Sequence, residues 1–106
     1  MITVSTHVLD IERGLPASGL VVTLSRATKA LASATTDDDG RIAQLANSLQ
    51  PGTYLLTFDI ATYLNSQGRA APFLQRVSLE VAMHDDRHYH VPLLLSAYAC
   101  TTYRGS

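Results

Sequence analysis

The sequence has little of several residue types that would otherwise suggest its class. Its 106 residues include one cysteine, Cys100, so it forms no intrachain disulfide and no cysteine-rich metal site. Charged residues make up 16% of the chain, whereas an average soluble domain has roughly 25%. There is no basic run, and the formal net charge is −1. A nucleic-acid partner is therefore excluded, because nothing would attract a phosphate backbone.

Long hydrophobic runs are also missing. No stretch approaches the ~20 apolar residues that a membrane span requires, and the longest apolar block, Val91 to Leu95, is interrupted by Pro92. The N-terminus has neither a Lys/Arg opening nor an apolar run of signal-peptide length. We therefore expect no membrane partner and a cytoplasmic location, although a removed targeting segment is compatible with this sequence.

What the chain does have is enough apolar material for one core. Apolar residues make up 46% of it, and a chain of this size buries roughly two-thirds of its surface on folding. We expect a single domain over residues 1–106. Apolar and polar residues alternate with a period of two, and turn signals recur at short intervals, which predicts an all-β sandwich or barrel.

The same pattern predicts individual elements. Ala27 to Thr36 could be strand or loop, Asp37 to Gly40 is a turn, and Ile60 to Gln67 is the one convincing helix, with Ile60, Tyr63 and Leu64 on its buried face. The polar C-terminus is expected to fray. Strands are predicted over Val4 to Leu9, Leu20 to Leu24, Thr53 to Phe58, Leu74 to Val81 and His88 to Leu95.

The four histidines are the residues that most suggest chemistry. His84 lies in a polar turn, and His7 on its own would be a hydrogen-bonded structural residue. His88 and His90 share one strand face, a spacing that can bind a metal, but no further ligands are evident. Pro92 in the same strand predicts a free edge or a bulge. The residues alone therefore indicate a β-sandwich with unexplained histidines.

Three motifs, taken together, add more. They are Ser5-Thr-His-Val-Leu-Asp10, Asp39-Gly40-Arg41, and the pair formed by His88-Tyr-His-Val-Pro-Leu-Leu-Leu-Ser96 and the terminal Tyr103-Arg-Gly-Ser106. In this order they resemble the transthyretin-like 5-hydroxyisourate hydrolases. The chain departs from that family at Ala97-Tyr98-Ala99-Cys100, where the family usually has proline, an aromatic residue, Gly or Ser, and then Tyr.

The resemblance implies a transthyretin-like, eight-stranded β-sandwich with one short helix after the fifth strand. It implies a homotetramer with its sites at the dimer–dimer interface. The implied reaction hydrolyses 5-hydroxyisourate to 2-oxo-4-hydroxy-4-carboxy-5-ureidoimidazoline in urate degradation, without a metal or other cofactor. A non-catalytic carrier of small aromatic ligands, like transthyretin, is the alternative, and an adhesion or scaffold sandwich is a more distant one.

The resemblance also implies roles for particular residues. His7, Arg41, His90 and Ser106 would be catalytic, and His7, Arg41 and Tyr103 would contact the substrate. Two imidazoles suit the reaction because a neutral imidazole can remove a proton from water near neutral pH. Arg41 would bind the oxygen-rich ring and keep the nearby imidazoles neutral. Which histidine is the base stays open at this point.

Overall fold

The structure is a computed structural model that describes residues 1–106. It confirms the all-β sandwich with one short helix. Eight of the nine strands have three or more residues, and the helix follows the fifth of these. In chain order the elements are β1 (Ile2–Asp10), β2 (Leu15–Pro16), β3 (Val21–Arg26), β4 (Lys29–Thr35), β5 (Arg41–Leu49), β6 (Gly52–Asp59), α1 (Ile60–Ser66), β7 (Arg76–Met83), β8 (His88–Leu95) and β9 (Cys100–Thr102).

Two sheets face each other. The first is centred on β1 and β8, which run parallel, with β9 beyond β8 and with β5 and β2 beside the other edge of β1. The second has the order β4-β3-β6-β7 and is antiparallel throughout. The parallel pairing of β1 and β8 runs from Thr3 opposite His88 to Asp10 opposite Leu95. This register decides which side chains of the two strands share a face.

The core lies between the sheets and follows the alternation of the sequence. Val4 and Val8 of β1 are fully buried and belong to the same hydrophobic cluster as Leu56 and Phe58 of β6. The intervening β1 residues Thr3, Ser5, His7 and Leu9 therefore point to the opposite, outer face of their sheet. The outer face of the first sheet is thus where the polar motif residues of β1 are presented.

Helix α1 forms as its pattern predicts. Asp59 caps it, since its carboxylate accepts a hydrogen bond from the Thr62 amide at 3.2 Å. The helix buries the predicted Ile60, Tyr63 and Leu64 and ends at Ser66. No helix of this fold is long and apolar enough to pass through a bilayer.

The structure corrects two expectations. The C-terminal segment does not fray, because Cys100–Thr102 forms β9 on the edge of β8. Pro92 does not mark a free edge, since β8 is flanked by β1 and β9. Instead the ladder between β8 and the tail breaks beside this proline: Leu93 pairs with Thr102 and His90 with Gly105, with no pairing between them. A residue without an amide hydrogen is tolerated at such a gap.

A buried ion pair joins the end of β1 to the segment after α1. The Asp10 carboxylate is fully buried and accepts hydrogen bonds from the Arg69 guanidinium at 2.5 Å and the Tyr63 hydroxyl at 2.8 Å. Burial raises the pKa of Asp10, but the hydrogen bonds from Arg69, Tyr63 and the Arg13 amide outweigh it, so the pKa lies below its ordinary value. The pair fixes the helix against the motif-bearing strand.

Replacing Arg69 with methionine leaves the Asp10 carboxylate buried without its cation. We expect the free energy of unfolding at neutral pH to fall by about 3 kcal/mol, the lower end for a broken buried pair, because the guanidinium is partly in water. Urea denaturation measures this. The stabilisation is present above the unfolded pKa of Asp10, 3.8, and is lost as the pH falls through the lower folded value, so the difference shrinks in acid.

The matched control is Lys29→Met, which removes an exposed cation from β4. Its free energy of unfolding should change by less than about 0.5 kcal/mol. Equal stability of the Arg69→Met variant and the parent at neutral pH would contradict the assigned role of the ion pair.

Candidate active site

The register of the first sheet gathers three of the motif residues on its outer face. His7 lies opposite Arg41 of β5 on one side and opposite Pro92 of β8 on the other. His90 lies opposite Ser5, two residues earlier along β1. His7 and His90 are therefore diagonal neighbours, with Cα atoms roughly 8 Å apart from standard strand spacings. Side chains of this length reach a common volume above the face.

The turn before β5 sets the position of Arg41. Asp37 accepts hydrogen bonds through its side chain from the Asp39 and Arg41 amides, both at 2.9 Å. Gly40 has φ of 73°, and a Cβ on it would collide with the Val8 carbonyl oxygen. Only glycine suits both the conformation and this close approach. The turn therefore packs closely against Val8 of β1, the residue after His7. Arg41 follows this turn directly, so it is the first residue of β5 and pairs with His7.

The His90 ring is held from two sides. The Ser5 hydroxyl lies 2.7 Å from Nδ1. On the other side is Gly105 of the tail, whose amide donates to the His90 carbonyl at 2.8 Å. A Cβ on Gly105 would lie 2.5 Å from Cδ2 of the ring, so the missing side chain makes room for the imidazole. Because Nδ1 is engaged by Ser5, Nε2 is the ring nitrogen left for a substrate.

The surroundings of His90 favour its neutral form. Partial burial lowers the pKa of His90, and the charges of Arg41, His7 and His88 lower it further. Near neutral pH the ring is therefore uncharged and can accept a proton. That Arg41 and His7 both act on this pKa agrees with their place on the same face.

The tail reaches His90 through a well-defined turn. In the segment that departs from the family pattern, the Ser96 amide donates to the Ala99 carbonyl at 2.9 Å, and the Ala99 amide donates to the Ser96 hydroxyl at 3.0 Å. Farther on, the Thr102 hydroxyl donates to the Pro92 carbonyl at 2.8 Å. These hydrogen bonds direct the tail along β8 without the family's proline.

Two of the predicted site residues are placed differently from the other three. Tyr103 is 59% exposed and lines a cavity of about 450 Å³ together with residues of β7 and with Tyr89 and Val91 of β8. That cavity is separate from the face that carries His7. Ser106 is exposed and follows Gly105 at the end of the chain. Within one chain the structure thus brings together His7, Arg41 and His90, but not Tyr103.

Sequence reasoning missed three residues of this site. Ser5 lies 2.7 Å from both His88 Nε2 and His90 Nδ1, the Thr3 hydroxyl lies 2.6 Å from His88 Nδ1, and Gly105 packs on His90. The period-two pattern did put His88 and His90 on one face. Their contacts with Ser5 depend on the β1–β8 register, which the pattern does not reveal.

No group of three or more His, Cys, Asp or Glu side chains is arranged to hold a metal ion.

The electrostatic coupling on this face can be measured directly. Replacing Arg41 with glutamine removes the cation that disfavours a second positive charge, so the pKa of His90 should rise. Titration of the His90 imidazole by NMR measures the change. An Arg104→Gln variant, which removes a tail cation that does not act on His90, should leave the pKa unchanged. A His90 pKa that is the same in Arg41→Gln and parent would contradict the shared face.

Known proteins resemble the chain throughout its length. The model of the HIUase/Transthyretin family matches residues 4–105. The 5-hydroxyisourate hydrolase of Deinococcus radiodurans is 45% identical over 112 residues, covering 96% of this chain and 94% of that protein. The structure of Klebsiella pneumoniae 5-hydroxyisourate hydrolase superposes with a TM-score of 0.90 at 39% identity, covering 98% and 99% of the two chains. Sea bream transthyretin in complex with thyroxine gives 0.88 at 29% identity, covering 96% and 93%. This chain belongs to the HIUase/Transthyretin family.

Proposed function

We propose that the protein hydrolyses 5-hydroxyisourate to 2-oxo-4-hydroxy-4-carboxy-5-ureidoimidazoline, a step of urate degradation. The observation that carries the proposal is the outer face of the first sheet, where His7 and Arg41 share a face with His90, whose surroundings favour its neutral form. The relatives named 5-hydroxyisourate hydrolase, which match this chain over nearly its whole length, support the same substrate. The reaction uses no cofactor.

His90 is the general base in this proposal. Its lowered pKa favours the neutral ring, and its engaged Nδ1 leaves Nε2 free to take a proton. Nε2 removes a proton from a water molecule as the water oxygen attacks the amide carbonyl carbon of the six-membered ring. When the carbon–nitrogen bond breaks, the departing ring nitrogen takes a proton from Nε2. His7, on the same face, positions the water.

Arg41 supplies the positive charge of the site. Its guanidinium binds the oxygen-rich ring of the substrate and stabilises the negative charge that develops on the carbonyl oxygen during attack. The same charge keeps His90 in its neutral form, the form that can accept a proton, because it disfavours the imidazolium. Ser106, next to the Gly105 that packs on His90, completes the catalytic set. In this proposal Tyr103 contacts the substrate only in an assembly of several copies.

A homotetramer with sites at the dimer–dimer interface fits this arrangement. In a single chain the face that carries His7 and Arg41 is open, so a second copy is needed to enclose a small substrate. The cavity lined by Tyr103 lies between two edge strands, β7 of the second sheet and β9 of the first. Unpaired strand edges of this kind favour contact with another copy of the chain. The homotetramer that the family resemblance implies is in keeping with this arrangement.

The carrier alternative is less well supported. Sea bream transthyretin, which shares the fold, binds thyroxine, and a carrier of aromatic ligands would have a site lined by apolar and hydroxyl groups. Here the face instead carries His7, Arg41, His88 and His90 beside hydroxyls. Imidazoles are suited to proton transfer near neutral pH, and a guanidinium beside them is suited to binding an anionic or oxygen-rich ligand. The arrangement therefore favours the hydrolase.

The activity assay follows the ultraviolet decay of 5-hydroxyisourate made with urate oxidase, after subtraction of the spontaneous decay. The parent should accelerate the decay. Because general acid–base groups contribute about 10²–10⁴-fold, the His7→Ala, Arg41→Ala and His90→Ala variants should lose activity on that scale. Folded variants that decompose the substrate as fast as the parent would contradict the proposal.

The matched control is His84→Gln, an exposed histidine in the turn between β7 and β8, which should keep full activity. The tail is tested in the same assay by Gly105→Ala. The added methyl group meets the His90 ring, so activity should fall in a variant that circular dichroism shows to be fully folded under the assay conditions. Unchanged turnover in Gly105→Ala would remove the tail from the site.

A further inference from the structure

A continuous chain of hydrogen bonds links His90 to the surface of the molecule. It runs from the Thr3 hydroxyl to His88 Nδ1 at 2.6 Å, from His88 Nε2 to the Ser5 hydroxyl at 2.7 Å, and from that hydroxyl to His90 Nδ1 at 2.7 Å. Ser5 is buried, His90 is half-buried and His88 is exposed. The mechanism above uses only the His90 end of this chain.

The Ser5 hydroxyl restricts how protons are arranged in the chain. A hydroxyl has one proton and two lone pairs, so between two ring nitrogens it donates to one and accepts from the other. When it accepts from His90 Nδ1–H it donates to His88 Nε2, and the His90 Nε2 lone pair is free. When it donates to His90 Nδ1 it accepts from His88 Nε2–H, and His90 carries its proton on Nε2. The protonation of the two imidazoles is therefore linked.

We propose that Ser5 and His88 form a proton relay that moves the charge produced at His90 during catalysis onto the exposed His88. This inference rests on the proposed hydrolase function and deepens it, because it adds two residues that the mechanism needs and that do not touch the substrate. Both are positioning residues that act through His90.

The steps of the relay balance in protons. Before attack, His90 holds a proton on Nδ1, the Ser5 hydroxyl donates to His88 Nε2, and His88 is neutral with its proton on Nδ1. When His90 Nε2 takes the proton of the attacking water, the Nδ1 proton passes to the Ser5 oxygen and the Ser5 proton passes to His88 Nε2. His90 is then neutral and His88 is an imidazolium. When His90 Nε2 gives its proton to the departing ring nitrogen, both shifts reverse.

The charges around His90 give the relay its driving force. His90 faces the Arg41 guanidinium on β5, His7 on β1 and His88 on its own strand, and the tail opposite contributes the uncharged Gly105. A positive charge on half-buried His90 is therefore opposed by burial and by a neighbouring cation. On exposed His88 the same charge is solvated by water and stands farther from Arg41, with Ser5 between the rings.

The kinetic test compares Ser5→Ala and His88→Gln with the parent in the 5-hydroxyisourate assay. Alanine removes the bridging hydroxyl, and glutamine keeps a hydrogen-bonding group at the exposed position but takes up no proton. Both should lower kcat by about 10²-fold, the lower end for loss of an acid–base contribution, with KM little changed. His84→Gln, at an exposed histidine outside this chain of hydrogen bonds, should keep all of kcat.

The second test needs no substrate. In ¹⁵N NMR spectra of the parent recorded at alkaline pH, the neutral His88 and His90 rings should show linked tautomers, because the Ser5 hydroxyl donates to one ring and accepts from the other. In Ser5→Ala this link is removed, and the tautomers of the two rings should change. Linked tautomers in a parent that does not hydrolyse 5-hydroxyisourate would support the hydrogen-bonded relay and reject the proposed function, so the two failures are distinguishable.

Two results would overturn the relay. One is a Ser5→Ala variant whose kcat and histidine tautomers both match those of the parent. The other is a large loss of kcat in Ser5→Ala with none in His88→Gln, because Ser5 would then only orient the His90 ring and no proton would need to reach His88.

Discussion

The parallel pairing of β1 with β8 is the constraint on which the site depends. It brings together residues that are more than eighty positions apart in the sequence, Ser5 with His90 and His7 with Pro92. Because side chains alternate between faces, a slip of one residue would turn the histidines of β8 away from those of β1. The buried alternate residues of both strands, such as Val4 and Leu93, hold the register, so the same packing that forms the core sets the geometry of the outer face.

Around that face, main-chain geometry positions the reactive groups. Gly40 lets the preceding turn press against β1 and so fixes where Arg41 begins β5, and Gly105 lets the tail lie against the His90 ring. In both places a methyl group would collide with its neighbour, so the absence of a side chain is what the site requires. This placement also sets the charge state of His90, because the Arg41 guanidinium lies near enough to lower the pKa of that imidazole and favour its neutral form.

The sequence predicts the fold better than the site. The alternation of apolar and polar residues in Thr53 to Phe58 was sufficient to predict a strand there, and the spacing of Ile60, Tyr63 and Leu64 was sufficient to predict the helix. Both predictions succeed because burial of one face of an element leaves a local pattern in the sequence. The tail was predicted to fray because its residues are polar; β9 forms through main-chain hydrogen bonds to β8, which composition does not encode. The link from Ser5 to His90 was missed for a similar reason, since only the register between distant strands reveals it. The motif resemblance supplied His7, Arg41 and His90, which the structure places on one face.

The central claim is that His7 and His90 act on one substrate molecule from one face, and a double-mutant cycle in kcat/KM for 5-hydroxyisourate hydrolysis tests it most directly. The measurement compares His7→Ala, His90→Ala and the variant that carries both changes. Groups that work as a unit give strongly non-additive losses. The account predicts that the double variant is little slower than the slower single variant; losses that simply multiply would contradict it.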